Sequence, residues 1–211
     1  MNTESIVYRY GDGLYVNFTN LCPTACAFCI KFSWKMRYRG YDLRLNRKEP
    51  PVDAVLAAAE KAYSEKPFSE LVFCGYGEST YRLEDMLKAC ERVREKLPGV
   101  RRRLNTVGLG NLICGRSIAS ELRGGLDAVC VSLNTADPAQ WAEIMRPKPE
   151  FVEAGFSAVK DFIRECAARI TETVATAVER PDVDTKACGR LAQSLGARFR
   201  LRPHLDGYEE K

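Results

Sequence analysis

Three cysteines, Cys22, Cys26 and Cys29, fall within the stretch LCPTACAFCIK in the spacing C-x3-C-x2-C, and no fourth cysteine or histidine follows nearby. Thiolates are soft ligands that select zinc, copper(I) or iron–sulfur clusters. A closed zinc site wants four protein ligands, and the only histidine, His204, lies far along the chain. A cubane cluster held by three thiolates keeps one iron free of protein ligands, a place where a substrate or cofactor can bind. The competing readings are three incidental cysteines, or a C-x-x-C redox pair with a spectator. Both weaken for a triplet placed directly after a strand.

The elements that must position this loop follow from the pattern of the 211-residue chain. LYVNFT (14–19) reads as a strand, and the segment after Pro50-Pro51 as a helix. Strands over 71–74, 102–106, 128–134, 172–178 and 198–203 alternate with helices over 82–96, 117–123, 138–145, 151–167 and 184–195. Six strand-first units predict an α/β fold with parallel strands joined by right-handed crossovers. A complete eight-unit barrel needs about 250 residues, so the expectation is a partial (β/α)6 barrel forming one domain over 1–211. The cysteine loop then sits at the C-terminal end of the first strand, where ligand sites of such folds gather.

Buried parallel strands normally read as continuous apolar runs. Several strands here alternate instead. Tyr15, Asn17 and Thr19 oppose Leu14, Val16 and Phe18; Arg103 and Asn105 oppose Leu104; Cys130, Ser132 and Asn134 oppose Val129, Val131 and Leu133; Arg198, Arg200 and Arg202 oppose Phe199 and Leu201. With the apolar faces toward the helices, the polar faces line a cavity. A row of edge strands wetted by solvent is the competing picture.

Composition narrows the class. Apolar residues make up 45% and charged residues 28%, with net charge +4, which permits anionic ligands without demanding nucleic acid. No apolar run is long enough to span a membrane. The opening MNTESIVYRYGDG carries no apolar signal core, so a cytoplasmic protein is expected. Nine cysteines there point to metal or redox chemistry rather than disulfides.

NFTNLCPTACAFC resembles the cluster loop of the radical S-adenosylmethionine (SAM) superfamily, down to the aromatic Phe28 before the last cysteine. The likeness covers nearly the whole chain. LYVNFTN and VFCGYGEST resemble the TatD-associated group within that superfamily. The resemblance implies that Cys22, Cys26 and Cys29 bind a [4Fe–4S] cluster and that SAM chelates its fourth iron. It implies that Phe28 meets the adenine through its backbone, and that Gly75, Tyr76, Gly77 and Glu78 cradle the methionyl amino group. Close backbone approach suits the glycines, and a carboxylate can accept from an ammonium. Ser79 departs from the usual proline, which implies a looser turn. Asn105 becomes a candidate for the ribose hydroxyls, and Ser132 and Asn134 for further polar contacts to SAM; each could instead satisfy loop backbone groups.

The implied activity is reductive cleavage of SAM to methionine and a 5′-deoxyadenosyl radical that takes hydrogen from an unknown substrate. The implied electron source is an external low-potential donor of flavodoxin or ferredoxin type, and a TatD-like hydrolase is the implied functional partner. Arg200 and Arg202, near the C-terminal end of the last strand, are candidates for an anionic group on the substrate or for the SAM carboxylate. Arg146 could reach a carboxylate or end a helix in solvent. Two other readings compete: an iron–sulfur electron-transfer module that never turns SAM over, and a small glycyl-radical activase or deazaguanine synthase.

Overall fold

Val7–Tyr10 (β1) and Gly13–Val16 (β2) form an antiparallel hairpin, in register from Val7 opposite Val16 to Tyr10 opposite Gly13. Gly11, at φ 57°, supplies the left-handed backbone of its turn. The structure is a computed structural model that describes residues 5–45 and 48–205. After β2 come the cysteine loop, a one-turn helix α1 (Ile30–Ser33), and a short ladder of β3 (Arg37–Tyr38) with β4 (Tyr41–Asp42). Helix and strand then alternate: α2 (Val52–Glu65), β5 (Glu70–Phe73), α3 (Leu83–Lys96), β6 (Arg101–Thr106), α4 (Gly110–Cys114), α5 (Ala119–Gly125) and β7 (Ala128–Ser132). The chain continues through α6 (Pro138–Met145), α7 (Gly155–Ala167), β8 (Glu172–Val178), α8 (Thr185–Ser194) and β9 (Arg198–Arg202).

The main sheet has the order β1-β2-β5-β6-β7-β8-β9, and every pair after β1–β2 is parallel. Its end strands β1 and β9 do not pair, so the sheet stays open as a partial barrel. The six expected parallel strands are present. The antiparallel β1 on the rim is additional; it precedes the first β/α unit, and counting units passes over it. Two strands stop two or more residues short of expectation, β2 ending at Val16 and β7 at Ser132.

Local chemistry sets the helix starts. Asp137 accepts from the Gln140 amide at 2.7 Å with Pro138 in the first turn of α6, and Asp184 accepts from the Ala187 amide at 2.9 Å ahead of α8. The apolar strand faces meet these helices as one cluster containing Leu14, Val16, Leu71, Phe73, Leu104, Val129 and Val131. Fully buried Trp141 needs Gly155 beside it, because a β-carbon there would lie 2.5 Å from the indole Cη2. Cys90 and Cys166 are part of the same core. Among the described residues, no helix is long and apolar enough to cross a membrane.

Candidate active site

The cysteine loop leaves the C-terminal end of β2 and is clamped on two sides. The amides of Ala25 and Ala27 donate to the carbonyls of Arg146 (3.0 Å) and Ile144 (2.8 Å), and the Lys148 amide donates to Pro23 (2.8 Å). Thr24 pairs with Pro147 as an antiparallel bridge. The end of α6 is thus the loop's outer wall. Arg146 closes α6 in the left-handed conformation at φ 46° with an exposed side chain, the helix-end role rather than a carboxylate contact.

Within the loop the Thr24 hydroxyl lies 3.5 Å from Cys22 Sγ and 3.3 Å from Cys26 Sγ, and Cys26 Sγ lies 3.8 Å from Met145 Sδ. Cys29 begins α1, its amide donating to the Cys26 carbonyl at 3.0 Å. All three thiols are free and partly exposed. Burial pushes each of them above the ordinary thiol range, Cys26 to about 12. Bound metal cations would hold them as thiolates at neutral pH. Among the described residues, no three Cys, His, Asp or Glu side chains gather tightly enough for a single metal ion. Three soft donors spread around one loop suit the corners of a polynuclear cluster, so the residues fit a [4Fe–4S] group with one iron left over.

The GYGE segment crosses this loop. A β-carbon at Gly75 would lie 2.9 Å from Asn17 Cα, and one at Gly77 would lie 2.6 Å from the Leu21 carbonyl oxygen. The Glu78 amide donates to that same oxygen at 2.7 Å. The glycines therefore permit close approach to the cysteine-loop backbone, a demand the protein itself makes. Tyr76 is buried, its hydroxyl donating to the Arg37 carbonyl at 2.5 Å and so tying the segment to β3.

Glu78 corrects the expectation most sharply. Its side chain is 1% exposed and accepts four hydrogen bonds: from the Thr80 amide and hydroxyl (3.2 and 2.9 Å), the Thr106 hydroxyl (2.9 Å) and the Val107 amide (2.8 Å). A carboxylate has about four acceptor positions, so none remains for an ammonium. Burial pushes its pKa up while the four donors pull it down, and burial wins. The turn at Ser79 is not loose, since Glu78 caps a 3-10 turn over Ser79–Arg82.

Asn134 is also engaged elsewhere. It lies beyond the end of β7 at φ 63°, 1% exposed, so strand parity no longer aims it at the cavity. Its Oδ1 accepts from the Val178 amide at 3.1 Å and its Nδ2 lies 3.0 Å from Met145 Sδ, joining the ends of β7 and β8 to the cluster loop's wall.

The polar strand faces do converge inside the barrel. Arg103 donates to Glu70 (2.8 Å), Tyr15 Oη (3.3 Å) and Asn105 Oδ1 (2.5 Å), with Cys130 Sγ 3.9 Å away. Asn105 thus spends its carbonyl on Arg103, and its side chain also hydrogen-bonds Cys74. Arg202 reaches Ser132 Oγ at 3.4 Å, and Arg200 reaches Cys130 Sγ at 3.7 Å. Phe28 packs half-buried against the core. Asn17 and Thr19, expected on the cavity face, instead lie past β2: Asn17 donates to the Leu43 carbonyl at 2.8 Å, and the Thr19 hydroxyl donates to Glu49.

Sequence reading missed an aromatic wall beside Arg103. Tyr8 of β1 lies 5.3 Å from Tyr15 and 5.4 Å from Tyr38, ring centre to ring centre, and Trp34 stacks on Tyr38 at 5.8 Å. Alternate tyrosines at 8 and 10 before a Gly-Asp-Gly turn were the available signal. A separate cleft of about 660 Å³ lies on the outer, helical side, among Glu49, Asp53, Arg82, Asp85 and Arg92. Its charges pair with one another (Arg82 with Asp85, Arg92 with Asp53), away from the cysteines.

Residues 16–178 match the family model of the radical SAM superfamily. The chain belongs to that superfamily, whose enzymes use a [4Fe–4S] cluster and S-adenosylmethionine. No curated protein matches its sequence. Among solved structures it is similar to methylornithine synthase (PylB), with TM-score 0.56 and 14% identity over 92% of this chain and 53% of that one. It is similar also to the FeFe-hydrogenase maturase HydG from Carboxydothermus hydrogenoformans, with TM-score 0.64 and 14% identity over 93% and 44%. The radical SAM methyltransferase TsrM from Kitasatospora setae, solved with cobalamin and a [4Fe–4S] cluster bound, matches at TM-score 0.54 and 15% identity over 86% and 35%. At these identities the likeness is one of fold, and the chain spans between about a third and a half of those proteins.

Proposed function

We propose that this protein is a radical SAM enzyme of the TatD-associated group that takes a hydrogen atom from a substrate held in the polar cavity. One observation carries the reading: an open three-thiol loop is locked against the GYGE backbone at the mouth of a barrel lined by polar side chains. When bound and reduced, cluster and SAM supply homolytic cleavage to methionine and a 5′-deoxyadenosyl radical. Cys22, Cys26 and Cys29 hold the cluster. The Gly75–Gly77 backbone faces the methionyl end of SAM, with Glu78 fixing that backbone from behind. Phe28 at its backbone and Asn105 serve the nucleoside, and Asn134 positions the strand ends. The Arg103–Glu70–Tyr15 group closes the cavity floor and limits water.

The cytoplasmic setting, an electron donor of flavodoxin or ferredoxin type and a working link to a TatD-like hydrolase belong to the same reading, supported by the LYVNFTN and VFCGYGEST resemblance. An electron-transfer module would keep the three thiols but not bind SAM. Glu78 does not separate the two, because its carboxylate is already saturated. Turnover does. Anaerobically purified protein should be brown, hold one cluster per chain, and release methionine and 5′-deoxyadenosine with SAM and a strong reductant. Replacing the three cysteines together by alanine should remove the iron. Stoichiometric zinc, or iron without SAM binding, overturns the proposal.

A further inference from the structure

The arginines of the cavity divide into two groups by counterion. Low in the barrel each has a carboxylate: Arg103 pairs with Glu70 at 2.8 Å, Arg101 with Glu172 at 2.7 Å, and Arg198 with the same Glu172. Arg200 and Arg202, one and two rows nearer the C-terminal mouth, have no carboxylate partner among the described residues. The register sets those rows, since Ser132 faces Thr176, Thr176 faces Arg200 and Val178 faces Arg202. The polar contacts of the two guanidiniums are soft or weak ones, the Cys130 sulfur at 3.7 Å and the Ser132 hydroxyl at 3.4 Å.

Among the described residues three buried side-chain polar atoms lack a hydrogen-bond partner, and Arg202 Nε is the charged one. An orphaned buried donor is costly, and more so on a cation. Burial pulls Arg202 below the usual guanidinium range, and its charge is felt at Cys74 and Cys26, so it reaches inward over the cavity rather than out to solvent. Among the described residues no nearby carboxylate answers it, since Glu70 and Glu172 are paired and Glu78 is saturated.

We infer that Arg202 and Arg200, with the Ser132 hydroxyl, form a binding site for an anionic oxygen group, a carboxylate or phosphate, on the substrate. The Nε–Nη2 edge of Arg202 offers the paired donors such a group accepts bidentately. The site lies on β7 and β9, two and four strand pairings along the sheet from the β5 end that carries Gly75–Gly77. Calling the ligand a substrate rests on the radical SAM reading; the anion site itself does not.

The test uses the full chain, with pyrophosphate and malonate as probes followed by calorimetry, and SAM titrated separately. At least one probe should bind saturably to wild type. Its affinity should fall at least about tenfold in Arg202→Gln, the loss of one charge-assisted hydrogen-bonded pair, and less in Arg202→Lys. SAM affinity should change by less than about threefold. Phenylglyoxal labelling of wild type gives a readout without mutation: the probe, and not SAM, should protect Arg200 and Arg202 in the mass spectrum. If neither probe binds better than to the Arg200→Gln/Arg202→Gln double variant, there is no anion site. If SAM protects the pair, or SAM affinity falls in parallel, the arginines serve the cofactor and the inference is wrong. Probe binding at Arg202 in protein that binds no SAM would uphold the anion site and overturn only the enzyme reading.

Discussion

Gly77 passes so close to Leu21 that a β-carbon on the glycine would sit 2.6 Å from the Leu21 carbonyl oxygen, the oxygen that already accepts from the Glu78 amide at 2.7 Å. The cluster loop and the GYGE segment are one backbone unit, and neither can move without the other.

Gly77→Ala should therefore cost at least about 1–3 kcal/mol, the range for forcing extra carbon into a packed site. It should also lower the iron bound per chain by more than half. Gly99→Ala, where nothing lies within 4 Å of an added β-carbon, is the matched control and should leave both unchanged. Iron and sulfide assays beside thermal melts check this; full iron in Gly77→Ala would show that the two segments are not coupled.

Glu78 makes stability depend on pH in an unusual direction for a carboxylate. Its folded pKa lies above the ordinary value, so the folded state holds the proton more tightly than the unfolded chain. Its contribution is fully present below the unfolded glutamate pKa of about 4.3 and is lost as pH rises through the folded value. Relative to Glu78→Gln, wild type should thus gain stability on acidification from neutral pH toward about 4.5. Glu78→Ala should be far worse, leaving the Thr80 and Val107 amides buried without partners at about 1–3 kcal/mol each. Urea unfolding across that pH range decides it, and parallel curves for wild type and Glu78→Gln would refute the assignment.

Arg103 and Glu70 pair with side chains 12% and 19% exposed, between the surface and buried extremes. A double-mutant cycle with Glu70→Gln and Arg103→Gln should give a coupling of about 1–3 kcal/mol, above an exposed pair and below a fully buried one. A coupling under about 0.5 kcal/mol would mean that the cavity floor is wet.

Asn134 separates a structural role from a cofactor role. Asn134→Gly keeps the left-handed backbone but loses the bond to the Val178 amide, while Asn134→Ala adds about 1 kcal/mol of backbone strain. The expected order of stability is wild type, then glycine, then alanine. If Asn134→Gly abolishes SAM binding while its unfolding curve matches wild type, the side chain touches the cofactor after all.

What the sequence determined by itself was whatever is local or periodic. The C-x3-C-x2-C spacing needs only covalent neighbours to bring three thiols together. The six parallel strands follow from alternating patterns, and parity placed Tyr15, Arg103, Cys130, Ser132, Arg200 and Arg202 on one face because side chains of a strand alternate. Parity stops where the strand stops, which is why Asn17, Thr19 and Asn134 went astray: each lies past the last ladder residue, where a turn chooses the direction. Only the tertiary structure decided which polar groups were already spoken for. Glu78 looks free in GYGES, yet two of its four donors come from Thr106 and Val107 on the next strand's end. Arg103 and Arg202 look alike in sequence, but Glu70 lies beside the one and, among the described residues, no carboxylate pairs with the other, because long-range strand pairing sets which charges become neighbours.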